Sequence, residues 1–179
     1  TIDSTRIDSF CRKEGITGNA YFLASFMNVL SRVTREENIT ITFIDNGRDR
    51  AEIRESVGMF VKTLPFVMSL DKESEFTAAA KATQKQQAES VGNSIYPFTQ
   101  IVSRRGITPE IMYVYQGLEE TNGIRFENAE YTTLALDTTK VPLMLQIIPS
   151  EDDFKLVVEY DTSLYSKRDL ETLAKMVGV

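Results

Sequence analysis

Apolar residues recur along this chain with two periods, and the places where the period changes mark out its elements. Ile7, Phe10 and Cys11 stand at helical spacing, with Ser4 or Thr5 available as a cap and Gly15 as a stop. Across residues 19–33, Phe22, Leu23, Phe26, Met27, Leu30 and Val33 repeat at three and four residues, which predicts a helix buried against a sheet or another helix. The period then drops to two. Ile39-Thr-Ile-Thr-Phe-Ile44 alternates β-branched and polar residues as a strand with one buried face does, and Asp45-Asn46-Gly47 ends it with turn residues. A second strand is expected over 58–66, where Gly58 marks a tight backbone approach and leads into a Phe, Val, Thr and Leu run closed by Pro65.

Residues 71–92 are rich in Ala, Glu, Gln and Lys, so they predict an outer helix. Its buried side is limited to Phe76, Ala79, Ala80, Thr83 and Val91, and Gln84-Lys-Gln-Gln87 reads as a solvated face. Pro97 is placed as the first residue of a short helix over 98–105, and 111–115 is the next strand. A polar turn is expected over 117–123, followed by strands at 124–136, 143–148 and 154–160. The nearly continuous apolar run 143–148 predicts a central strand covered on both faces. Ser166-Lys-Arg-Asp169 resembles a capping box opening a last helix that presents Leu170, Leu173, Ala174 and Val177. No internal repeat and no linker divides the chain, so a single unit spanning 1–179 is expected, of α/β class with a mixed sheet and helices mainly on one face.

Composition narrows the chemistry. A hydrophobic share of 42% over 179 residues builds a sizeable core, and no window approaches the ~18 apolar residues of a membrane span. The opening Thr-Ile-Asp-Ser-Thr-Arg lacks the basic and then apolar layout of a signal peptide, so a cytoplasmic protein without membrane contact is expected. A net charge of -6 disfavours nucleic acid as a partner. The basic pair Arg104-Arg105, followed by Gly106, reads as the cationic last turn of a helix rather than a phosphate site. Cys11 lies on the same helix face as Ile7, beside Phe10, so it reads as core filler rather than a nucleophile. The chain has no histidine, and with one cysteine it offers neither a Cys/His pair nor a zinc-type ligand set. There is no Gly-x-Ser-x-Gly elbow, P-loop or dinucleotide fingerprint. The acidic pairs Glu36-Glu37, Glu119-Glu120 and Asp152-Asp153 fall in expected loops or helix ends, where carboxylates stay solvated. No catalytic residue and no metal ligand is nominated.

Four segments in order carry a resemblance. Gly58-Met-Phe60-Val61-Lys62-Thr63 resembles the Gly-x-Phe-Val-Asn-Thr signature in the second half of condensation domains of non-ribosomal peptide synthetases, with Lys62 where the family has asparagine. Upstream, the strand at 39–44 ending in Gly47-Arg48 is similar to the family's strand ending in Gly-Arg, and downstream Tyr96-Pro97-Phe98 is similar to its Tyr-Pro-Phe motif. The segments 140–145, 156–161 and 164–165 resemble the closing β-pair and the Glu-Tyr-Asn/Asp-x-x-Leu-Phe element. The Arg-Asp-x-Ser-Arg-Asn-Pro-Leu-like element is reduced to Gly106-Ile-Thr-Pro-Glu110.

The resemblance implies a chloramphenicol-acetyltransferase-like lobe, the C-terminal half of a condensation domain separated from the half that carries His-His-x-x-x-Asp-Gly. Two such lobes form a V, and carrier proteins insert phosphopantetheine arms into the tunnel between them, where an amide forms. This lobe then supplies one tunnel wall, contributes to carrier-protein docking, and sends a segment within 117–141 across to the catalytic lobe. Arg48, Gly58, Phe60, Lys62, Thr63, Tyr96, Pro97 and Phe98 are its motif residues by resemblance. No cofactor is bound directly, because phosphopantetheine belongs to the carriers. The implied partners are the N-terminal catalytic lobe, peptidyl and aminoacyl carrier proteins, and an adjacent adenylation domain. Half of an epimerization domain, a related acyltransferase and a standalone α/β interaction module are the alternatives.

Overall fold

The sheet's buried apolar side chains lie mainly on one face, and that rule organises the fold. The structure is a computed structural model that describes residues 2–48, 51–69, 74–106, 108, 110–117, 138–150 and 152–178. Six strands, β1 (Ile2–Asp3), β2 (Asn38–Asp45), β3 (Lys62–Ser69), β4 (Ile111–Tyr115), β5 (Leu143–Pro149) and β6 (Asp153–Tyr160), form a sheet of order β1-β6-β5-β4-β2-β3. The sheet is mixed: β2 runs parallel to β4 and β4 to β5, while β1/β6, β5/β6 and β2/β3 are antiparallel. The register aligns Ile41 with Phe66, Phe43 with both Leu64 and Tyr113, and Tyr113 with Leu145, all of them buried. Side chains alternate across a strand, so these residues line one face.

Five helices, α1 (Ser4–Glu14), α2 (Gly18–Thr34), α3 (Phe76–Gly92), α4 (Phe98–Arg105) and α5 (Lys167–Val177), accompany the strands among the described residues. The central one is α2. Six consecutive residues, Phe22 to Met27, are buried, because the helix lies against the sheet on one side and touches α1, α3 and α5 on others. Phe22 packs edge-on against Phe154, and Phe26 stacks on Tyr113. Buried polar groups are satisfied: the Tyr113 hydroxyl donates to the Asn19 carbonyl at 3.1 Å, and Thr42 Oγ1 donates to the Ile111 carbonyl at 3.2 Å. Cys11 sits in this core, where burial pushes its thiol pKa up and away from nucleophilic thiolate character.

Several sequence expectations are corrected. Asp3 caps α1, its Oδ1 accepting from the Thr5 amide, and Ser4 and Thr5 already lie inside the helix. Val33 is exposed and leaves the buried stripe of α2. The strand expected over 58–66 begins at Lys62 and continues past Pro65 to Ser69, and β3 is a sheet edge, where a residue without an N–H is tolerated. Gln87 is buried, and Gln84 is bound on both sides, its Oε1 accepting from the Thr17 amide and its Nε2 donating to the Gly15 carbonyl. These two glutamines fasten α3 to the start of α2 and are not a solvated face. Pro97 is the N-cap of α4, one residue before the first helical position. β5 is third of the six strands as expected, but its burial alternates, with Met144, Gln146 and Ile148 only half-buried. The expected strand 124–136, the turn beyond Gly117, the crossing placed within 117–141, Glu119-Glu120, residues 71–73 of the outer helix, and Ile107 and Pro109 lie wholly or in part outside the described residues.

Two outcomes follow from this packing. Leu145 and Ile147 are fully buried on a strand paired on both sides, so the β5 amides should be among the slowest in native-state hydrogen exchange; fast exchange there would overturn the assignment of β5 as the sheet's centre. Tyr115 has its hydroxyl pKa pushed up to about 12, mainly by burial. A group whose pKa is raised on folding stabilises the fold below its unfolded value of 10.0 and loses that contribution as pH climbs toward about 12. Tyr115→Phe should therefore flatten the fall in unfolding free energy across that window, and an unchanged slope would contradict the burial.

Candidate functional site

The connection from β2 to β3 is built on a left-handed turn. Asp45 Oδ2 accepts from the Gly47 amide and Asn46 Oδ1 from the Arg48 amide, the local bonds that Asx residues make in turns. Gly47 has φ +67°, and a Cβ on it would stand 1.9 Å from the Phe60 carbonyl oxygen. The tight backbone approach expected at Gly58 is therefore at Gly47. Gly58 has no left-handed φ, and a Cβ there would meet only the Phe60 ring, at 3.2 Å.

From that turn Arg48 reaches back over the loop. Its Nη1 donates to the carbonyls of Ile53 (2.7 Å), Arg54 (3.1 Å) and Ser56 (2.8 Å), and its Nη2 donates to the Gly58 carbonyl at 3.3 Å. The guanidinium also lies 4.6 Å from the centroid of the Phe60 ring, a cation–π contact. A planar fork with five donors suits this task, since residues 54–61 form no strand and their carbonyls have no ladder to join.

Lys62, the first residue of β3, makes the next link. Its Nζ donates to Ser94 Oγ at 2.8 Å, tying the strand entrance to the segment joining α3 to α4. That segment continues through Tyr96 and Pro97 into Phe98, which opens α4. The Tyr96 ring faces the Arg104 guanidinium at 5.8 Å. Gly106 closes α4 in the left-handed conformation, so the basic pair does occupy a last helical turn. Thr63 pairs with Ile44 in the β2/β3 ladder.

Five expected residues, Arg48, Gly58, Phe60, Lys62 and Thr63, thus lie along one continuous loop and strand entrance, with Tyr96-Pro97-Phe98 tethered to it through Ser94. Sequence reasoning missed Gly47 as the sterically required glycine, although the Asp-Asn-Gly turn carried that signal. Ser94 carried none. Among the described residues no group of three or more His, Cys, Asp or Glu is placed to hold a metal ion. A cavity of about 640 Å³ opens elsewhere, on the helical side among Ile2, Ile7, Phe10, Tyr21, Phe76 and Gly178, and contains none of the motif residues.

A protein-family model described as "Condensation domain" matches residues 3–178. A linear gramicidin synthase of Brevibacillus parabrevis is 29% identical over 93% of this chain, and bacitracin synthase 1 of Bacillus licheniformis is 24% identical over 95%. This chain spans 3% of the length of each. Among solved structures, a four-domain nonribosomal peptide synthetase bound to AMP and glycine superposes with a TM-score of 0.84 at 17% identity, over 98% of this chain and 15% of that one. The condensation domain of the Monacolin K polyketide synthase gives 0.79 at 21% identity, over 98% of this chain and 44% of that chain. At such identities these likenesses are of fold.

The steric contrast between the two glycines is measurable. Gly47→Ala should cost on the order of 2 kcal/mol or more, since it combines a left-handed backbone with a carbonyl in the way, whereas Gly58→Ala should cost under about 1 kcal/mol. Equal denaturation midpoints for the two variants would refute the assignment.

Proposed function

The chain belongs to the condensation domain family, and from that we propose that it is the C-terminal lobe of a peptide-bond-forming condensation domain in a non-ribosomal peptide synthetase. The carrying observation is one of extent: nearly all of this chain superposes on less than half of an isolated condensation domain. In this reading the lobe supplies one wall of the tunnel that receives acyl and aminoacyl pantetheine arms, and it shares carrier-protein docking with the complementary lobe. The arms arrive on the carriers, so the lobe needs no cofactor of its own. An adenylation domain of the same synthetase loads the acceptor carrier.

The motif residues divide the work by position. Arg48 and Gly47 shape the loop, Phe60 lies under the guanidinium, and Lys62 links the signature strand to Tyr96-Pro97-Phe98. Lys62 and the Tyr-Pro-Phe segment border the tunnel, Gly58 lies in the loop that leads to the strand and Thr63 within the strand, and the general base comes from the complementary lobe. The sequence holds no histidine, which is consistent with that division.

Reconstitution tests the reading. With one carrier loaded as an acyl thioester and another as an aminoacyl thioester, the 179-residue chain should give only background amide, and the same chain joined to the complementary lobe should give peptide. Turnover by the chain alone would overturn the proposal. Inversion of the aminoacyl centre by the joined protein, without amide formation, would instead assign it to the epimerization branch.

A further inference from the structure

The loops fixed by Arg48 and Lys62 carry apolar tips. Val57 is 104% exposed, Met59 90% and Ile95 87%, the three highest values among the exposed large hydrophobic residues described. Val57 and Met59 flank Gly58, whose carbonyl Arg48 holds, and Ile95 follows Ser94, whose hydroxyl Lys62 holds. Val61, at the strand entrance between the two, is half exposed. The two loops meet at one place: Lys62 reaches Ser94 with its Nζ, while its Cε lies 3.4 Å from where a Gly47 Cβ would stand. Two polar anchors therefore hold the most solvent-exposed apolar side chains of the described chain at the same end of edge strand β3.

Apolar tips on mobile loops are common. Here each loop is held by side-chain bonds, so little order remains to be lost when the tips are covered, and clustered exposed apolar groups mark association sites. We propose that Val57, Met59 and Ile95 form the surface on which the complementary lobe of the condensation domain seats. This rests on the reading that the chain is one lobe. It commits to that occupant because this chain covers 44% of the related condensation domain's chain, and in the one-lobe reading the larger remainder is the complementary lobe. The surface also adjoins the signature strand, the part of this chain assigned to the tunnel between lobes.

The test compares the 179-residue chain with the same chain joined to its complementary lobe, by hydrogen exchange read out on peptides. Segments 51–61 and 94–97 should exchange freely in the chain and at least tenfold more slowly in the joined protein. Val57→Asp with Met59→Asp should leave the melting temperature of the chain unchanged, since both side chains are already in water, and should lower that of the joined domain by several degrees. Joining that protects no segment of the chain would overturn the one-lobe reading. Protection elsewhere on the chain, with 51–61 and 94–97 unaffected, would overturn this inference alone. Protection of those segments in the chain by itself, rising with its concentration, would assign the surface to a second copy and also overturn it.

Discussion

The loop that leads into β3 hangs on the Arg48 guanidinium. Among its described residues the β2–β3 connection has no ladder of its own beyond a short 3-10 turn at Ala51–Ile53, so their carbonyls need either water or a donor from the protein. One side chain meets four of them, at Ile53, Arg54, Ser56 and Gly58, and lies over Phe60 as well. The left-handed turn at Gly47 aims Arg48 back across the loop, and the absence of a Cβ there lets the Phe60 carbonyl pass. Glycine and arginine are adjacent in sequence because each serves the same crossing: one makes room for the chain, and the other holds it.

That crossing delivers the signature residues to a sheet edge. An edge strand has unpaired backbone groups that invite pairing with other chains, and β3 is blunted in more than one way. Pro65 removes a donor from its middle, Lys62 places a charged side chain at its start, and the Gln86 side-chain amide donates to the Val67 carbonyl. The inner face of the same strand is ordinary core, with Leu64, Phe66 and Met68 buried opposite Phe43, Ile41 and Ile39. A strand so divided serves packing on one face and is tethered at its entrance by Lys62, and the motif's first residues, Gly58 to Val61, are not strand at all.

Several elements and much of the core were legible from period, although β1 (Ile2–Asp3) was not read in the sequence. The stripe of Phe22, Leu23, Phe26 and Met27, the alternation of 39–44 and the apolar run at 143–148 each gave the right element, because burial selects side chains at fixed intervals. Boundaries slipped where long-range partners decide them. β3 starts at Lys62 because Asp45 is the last β2 residue to pair, a fact held in the partner strand. Gln84 and Gln87 look solvated in sequence and are not, because the start of α2 presents backbone groups and Asn19 for them to bind. The motif glycine drew attention to Gly58, whereas the required glycine is eleven residues earlier, where a carbonyl from Phe60 passes. Only the fold brings those two positions together.

The departure at Lys62 has a structural reading. An asparagine amide sits one methylene from its Cα and would end far short of the point that the Lys62 ammonium occupies at Ser94 Oγ. The longer side chain thus exchanges a short amide at the strand entrance for a tether across to the α3–α4 segment. The tether starts beside Gly47 and ends two residues before Tyr96, so it couples the turn that sets the loop to the segment that opens α4. A charged group held by a single hydroxyl remains only partly desolvated, and three donors on one nitrogen leave it able to keep water while holding Ser94. The change at this position therefore alters how two motif segments are held together, as well as which polar group the strand presents.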